Sequence, residues 1–154
     1  MAKKKIRSHS ITNRRARYDY ELGDSWIVGI VLNGRETKAL RLGHGQLKGA
    51  YVTVKDNELY LINATISGTS GASIDEHEQT QARKLLAKKN EISKLIQAKE
   101  QGNTIIPLDI LKEGRYIKLR IAIGKGKKRY DKRQTIKTRE TERQMKRILL
   151  SSRP

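Results

Sequence analysis

The sequence predicts an α+β fold, mainly β, in which a small closed or part-open antiparallel β-barrel carries a few flanking helices. Three observations predict it. Apolar runs of strand length recur along the chain, and turn residues join four of them into two hairpins. The helical signals are few and short. The stretch 18–123 carries 15 basic and 13 acidic side chains, the mixed surface of an ordinary folded domain, while the excess charge lies at the two ends.

The elements follow in chain order. Residues 1–12 are rich in Lys and Ser, with isolated Ile6 and Ile11, and read as a disordered basic N-terminus. After Asn13-Arg14-Arg15-Ala16-Arg17, the residues Tyr18, Tyr20 and Leu22 alternate with Asp19 and Glu21, the period of a strand. Trp26 to Leu32 is apolar and β-branched, and periodicity leaves a buried strand and a short buried helix both open. Arg35 to Leu42 predicts a short helix with Leu40 on its apolar side, ended by Gly43.

Tyr51, Val52 and Val54 lead into the turn Lys55-Asp56-Asn57-Glu58, and Leu59 to Ile62 returns. Ser67 to Gln81, rich in Gly, Ser and Thr, reads as a surface loop. A helix is expected over Lys88 to Gln101 with Ile92, Leu95 and Ile96 inward and Gly102 beyond its end. Thr104 to Leu111 pairs with Tyr116 to Ile123 through Glu113-Gly114, and Pro107 suits an edge or a bulge. In the return strand Ile117, Leu119, Ile121 and Ile123 share one face; Lys118 and Arg120 share the other with Tyr116 and Ala122. A barrel of the oligonucleotide-binding type is one candidate among several for this pattern.

Past Ile123 the composition changes. Gly124-Lys125-Gly126-Lys127 reads as a flexible basic linker. Thr135 to Leu150 holds good helix formers, but Ile136, Met145, Ile148 and Leu149 are too sparse to offset the entropy of folding alone. The expected organisation is residues 1–12 as a basic N-terminus, 13–123 as the barrel domain, and 124–154 as a basic tail that is mobile in solution and helical against a partner.

Net charge is +18, split as +7 over residues 1–17, +2 over 18–123 and +9 over 124–154. Such a layout predicts a folded module whose arms grip a polyanion. The longest apolar run, Ile27 to Leu32, is too short to cross a bilayer, and residues 3–17 lack the apolar stripe of a membrane-surface helix. No apolar segment follows the basic start, so a secretory signal is expected to be absent. There is no Cys, which removes disulfides and thiolate metal sites and fits a cytoplasmic location.

Catalytic signals are sparse. His9, His44 and His77 have no metal or triad partner at recognisable spacing. Gly124 to Lys127 lacks the Gly spacing and the Ser/Thr of a phosphate loop. No catalytic residue, metal or cofactor is expected, and the protein is expected to bind RNA without enzymatic activity. The acids at 75, 76 and 78 are the one dense group, in a loop where solvent exposure is the ordinary reading.

Arg14, Arg15 and Arg17 beside Tyr18 lack any intervening acid, so phosphate or base contact is favoured over a solvated face. Lys118 and Arg120 stand evenly between RNA contact and the polar outer face of a hairpin. The Lys125 to Arg133 run suits a non-specific phosphate anchor, and Tyr130-Asp131 within it points to a more defined contact.

These residues carry a resemblance. Asn13-Arg14-Arg15-Ala16-Arg17-Tyr18-Asp19-Tyr20, Gly34-Arg35-Glu36-Thr37-Lys38-Ala39-Leu40-Arg41 and Ala50-Tyr51-Val52 come first. Arg83-Lys84-Leu85-Leu86, Gly124-Lys125-Gly126-Lys127-Lys128, Asp131-Lys132-Arg133 and Ile136-Lys137 follow in order. From about Asn13 to Leu149 the chain resembles the SmpB (SsrA-binding protein) family of bacterial trans-translation factors.

The resemblance implies a barrel related to the oligonucleotide-binding fold. It implies binding to the tRNA-like domain of transfer-messenger RNA and delivery of that RNA to stalled ribosomes, so that truncated products are tagged. The tail would occupy the vacant decoding centre of the small subunit, among ribosomal RNA, and the mRNA channel. Elongation factor Tu and alanyl-tRNA synthetase would be met indirectly, through the RNA, and the protein would be monomeric. RNA-binding positions implied by the resemblance are Asn13, Arg15, Arg17, Leu86 and Lys118; Arg14, Tyr18, Lys84 and Arg120 are expected to bind RNA beside them. Tail positions implied by the resemblance are Gly126, Tyr130, Asp131, Lys132 and Arg133; Lys125, Lys127, Lys128, Ile136 and Lys137 are expected to bind the ribosome beside them. Ile27 departs from the family by standing where an acid is frequent, and Glu78-Gln79-Thr80-Gln81 replaces its usual Asp-Pro-x-Arg. The alternative is a ribosomal-protein-like or general structured-RNA-binding module.

Overall fold

A computed structural model describes residues 11–112, 114–127 and 129–151, without the side chains at 129–132, 134, 135 and 151. The chain runs β1 (Ile11–Thr12), α1 (Ala16–Asp19), β2 (Tyr20–Ile30), α2 (Gly34–Arg41), β3 (Gly45–Gln46), β4 (Tyr51–Lys55) and β5 (Glu58–Ile62). It continues through β6 (Thr65–Ile66), α3 (Glu76–Gln79), β7 (Arg83–Leu86), α4 (Lys89–Glu100), β8 (Thr104–Leu111), β9 (Lys118–Gly126) and α5 (Arg129–Ser151).

Local chemistry explains where the clearest elements start and stop. Asp56 and Asn57 both adopt left-handed backbone, at φ 52° and 59°. Two such residues in succession give the turn whose twist matches paired strands. It holds β4 and β5 in register from Tyr51 opposite Ile62 to Lys55 opposite Glu58. Helix α2 opens on a capping box: the Asn33 side chain accepts from the Glu36 N–H at 2.9 Å, and Glu36 accepts in turn from the Asn33 N–H at 3.3 Å. It ends at Gly43, whose φ of +86° a side chain would strain.

The strands form a seven-stranded sheet in the order β1-β8-β4-β5-β7-β2-β9, and pairing of β8 with β9 closes it into a barrel. Each named pairing is antiparallel. Val28, Val52, Leu59, Leu61, Leu119 and Ile121 fill the interior, and Leu40 of α2 and Leu95 of α4 bring the helices onto the same core. Pro107 lies at the β8–β9 register shift between Pro107 and Asp109, where its missing N–H breaks no ladder bond of a regular strand. This is the α+β, mainly β barrel that the pattern predicts.

Several expectations change. The strand expected from Tyr18 begins at Tyr20 as β2, because Tyr18 and Asp19 close the turn α1, their N–H groups donating to the Arg15 carbonyl. Trp26 to Ile30 is a strand, continuous with Tyr20 across a register shift between Leu22 and Ser25. Ile11 and Thr12 are ordered as β1, opposite Ile110 and Asp109; the rest of the expected N-terminal segment, residues 1–10, lies outside the described residues. Ala122 is fully buried, not on a polar outer face. The loop 67–81 contains α3 and buries Ile74. Gly124 to Gly126 is no linker: it extends β9, pairing with Leu22, Glu21 and Tyr20. The tail residues Arg129–Ser151 form α5, which starts beside α1.

Candidate nucleic-acid interface

Strand β2 sits between β7 and β9 and ties the basic elements together. At one end Gly29 pairs with both Leu86 and Lys118; at the other Tyr20 pairs with Gly126, where the tail leaves. The run from Tyr20 to Gly29 spans roughly 30 Å at about 3.3 Å per strand residue. The predicted RNA-binding residues therefore fall into two clusters rather than one.

The first cluster surrounds α1. Asn13, expected to face RNA, is only 9% exposed, and its side-chain amide donates to the Pro107 carbonyl at 3.0 Å. Its backbone N–H donates to the Leu108 carbonyl at 2.7 Å. Asn13 thus uses the carbonyls left free at the β8 bulge to fix the turn that presents Arg14, Arg15 and Arg17, all exposed. Arg15 pairs with Asp19 at 3.6 Å, and its guanidinium stands 5.7 Å from the Tyr18 ring centroid. Arg14, Arg15 and Lys48 line one cleft. Arg17, Arg120 and Lys127 line another, of about 960 Å³, with Trp26 and Ile27.

Lys127 joins this cluster to the tail. Its backbone N–H donates to the Asp19 carbonyl at 3.0 Å and its ammonium to the Arg17 carbonyl at 2.9 Å. The α1 carbonyls thereby set where α5 departs. Lys125, Arg133 and Lys137 are exposed, as is Ile136. Lys128, and the side chains of Tyr130, Asp131 and Lys132, lie outside the described residues.

The second cluster is at the far end of β2. Leu86 is 55% exposed, an apolar side chain turned outward, and Lys118 lies beside it across Gly29. Arg120, nearer the middle, is held by Asp109 at 3.1 Å. Lys84 is held by Glu58 at 2.9 Å, and Tyr60 donates its hydroxyl to the same carboxylate at 2.9 Å. Those bonds, Lys84 first, pull the Glu58 carboxyl below its usual range; the Glu58 bond raises the Lys84 ammonium and the Tyr60 phenol. Lys84 and Arg120 must exchange a carboxylate for a phosphate in order to bind RNA.

Two features escaped the sequence. Arg83 is buried with Glu36 as a close ion pair, and its remaining N–H groups donate to the carbonyls of Ala64, Gln81, Glu78 and Gln79 at 2.9 to 3.2 Å. One side chain thus fixes α2, the α3 segment and the start of β7, which carries Lys84 and Leu86. Arg115 and Tyr116 stand beside Leu86 and Lys118. Their signal was a repeat: Arg-Tyr occurs at 17–18, 115–116 and 129–130.

Among the described residues, the ligand atoms of Asp75, His77 and Glu78 come within 4.8 Å of one another, a proximity that spacing did not show. The three lie on the surface around α3, where such groups are common without a cation. No described helix is long and apolar enough to cross a membrane.

Known proteins resemble this chain over most of its length. The family model described as "SmpB protein" matches residues 10–151. The SsrA-binding protein of Gloeobacter violaceus is 40% identical over 150 residues, covering 97% of this chain and 99% of its own. That of Paraburkholderia xenovorans is 46% identical over 143 residues, covering 92% and 97%. A solved structure described as "tmRNA-SmpB: a journey to the center of the bacterial ribosome" superposes with a TM-score of 0.65 at 35% identity, covering 82% of this chain and 94% of that one.

Proposed function

This chain belongs to the SmpB protein family, and on that premise we propose that it binds the tRNA-like domain of transfer-messenger RNA and carries it to stalled ribosomes for trans-translation. The observation that carries the reading is the separation of two basic clusters by the length of β2, with the tail leaving from one of them. A protein that stands between two RNAs needs two such surfaces.

In this mechanism the Leu86–Lys118 end holds transfer-messenger RNA by shape and phosphate contact, with Lys84 released from Glu58 on binding, while Arg120, in the cleft with Arg17 and Lys127, is released from Asp109 between the two ends. The α1 arginines, placed by Asn13, lie at the junction where the bound RNA and the ribosome approach each other. The tail enters the vacant decoding centre and mRNA channel, Tyr130 stacking on an exposed base and Lys125, Lys127, Lys128, Lys132, Arg133 and Lys137 meeting ribosomal RNA phosphates. The protein acts in the cytoplasm, as a monomer and by binding alone, and meets elongation factor Tu and alanyl-tRNA synthetase only through the RNA.

A competition assay tests this. Labelled tRNA-like domain bound to the protein should be displaced by the same unlabelled RNA at far lower concentration than by an unrelated structured RNA of equal length. Equal displacement would favour the general structured-RNA-binding module instead.

A further inference from the structure

Tyr116 is 68% exposed, at the start of the return to β9. Single exposed aromatics are ordinary, but this one has unusual surroundings. The Arg115 guanidinium lies 5.7 Å from its ring centroid, within cation–π range. The Arg115 carbonyl accepts from the Arg41 guanidinium at 2.8 Å, which ties the turn to α2. Tyr116 forms one side of a groove of about 310 Å³ that also takes in Leu86, Lys118 and the backbone at Gly29. Gly29 lies so close to Leu86 that a Cβ there would come within 3.2 Å of the leucine Cβ, so the groove floor is bare backbone. Among the described residues, no carboxylate lines it.

A flat apolar slot rimmed by cations, on a protein with a net charge of +18, suits an unpaired nucleobase with its flanking phosphates. We infer that this groove captures one extruded base of the bound RNA. The Tyr116 ring stacks on one face, Leu86 covers the other, and Arg115 and Lys118 meet the adjoining phosphates. The inference rests on the RNA-binding reading above and adds to it a base-stacking residue that phosphate contacts do not require.

The test compares wild type, Tyr116→Phe, Tyr116→Ala and Lys118→Ala for equilibrium binding of two labelled probes across a salt series. The probes are the tRNA-like domain and a single-stranded oligoribonucleotide. Tyr116→Ala should weaken binding by about tenfold or more with an unchanged salt slope, because stacking releases no counterions. Tyr116→Phe should retain the affinity, and Lys118→Ala should lower the slope by about 1. Unfolding midpoints equal to wild type would exclude a folding defect. If wild type fails to prefer the tRNA-like domain, the functional reading falls, while a Tyr116→Ala loss on the single strand still upholds the groove. Tyr116→Ala binding both probes as tightly as wild type would overturn the inference.

Discussion

Replacing Arg83 with methionine removes the charge and all N–H donors while keeping much of the apolar stem. Arg83 is 2% exposed and Glu36 is 3% exposed, so the substitution leaves a carboxylate in the interior without its cation. Removing one partner of a buried pair costs about 3–5 kcal/mol. Glu36 keeps one compensation, since its other oxygen still accepts from the Asn33 N–H at the start of α2. Against that, the carbonyls of Ala64, Glu78, Gln79 and Gln81 lose their donor, though those near the surface can turn to water. The two corrections oppose each other, and the expected loss is about 3–4 kcal/mol.

In urea, with a slope of about 2 kcal/mol/M, that loss lowers the midpoint by roughly 1.5–2 M. The double variant Arg83→Met/Glu36→Gln should recover part of it, because the orphaned charge is gone. A fall of under about 0.5 M for Arg83→Met would refute the claim that this pair organises the α2–α3–β7 corner.

Two further outcomes follow. Lys118→Ala should weaken binding of the tRNA-like domain and reduce the slope of log affinity against log salt by about 1, read from titrations at several salt concentrations. Gly124→Ala should destabilise by about 1–3 kcal/mol, measured as a lowered thermal midpoint. The added Cβ would press on Ile106 and come within 3.2 Å of the Tyr20 Cβ.

Features set by neighbouring residues were readable from sequence. Asp56-Asn57 and Gly43 announce their turns because the backbone demand sits on those residues. Features set by distant partners were not. Arg83 reads as part of a basic motif until Glu36 is brought to it across the fold. Gly124-Lys125-Gly126 has the composition of a linker, yet pairs with Tyr20 to Leu22, and Gly124 packs closely against Ile106 and Tyr20. Asn13 was grouped with the arginines, but the free carbonyls at the Pro107 bulge draw it inward. The candidate residues were nearly all named from sequence; their division between the two ends of β2 was not, because the strand continues through Gly23 and a register shift that break the alternating pattern.

The central claim is that the barrel and the tail engage different RNAs from opposite ends of one strand pair. Its most direct measurement uses a chain truncated after Lys127, which keeps β9 complete and retains both Lys127 bonds to α1. Affinity for the tRNA-like domain and tagging of a product on a stalled ribosome are read in parallel. The account predicts affinity close to that of the full chain, with tagging abolished. Tagging by the truncated chain, or loss of its RNA affinity, would contradict the division of labour.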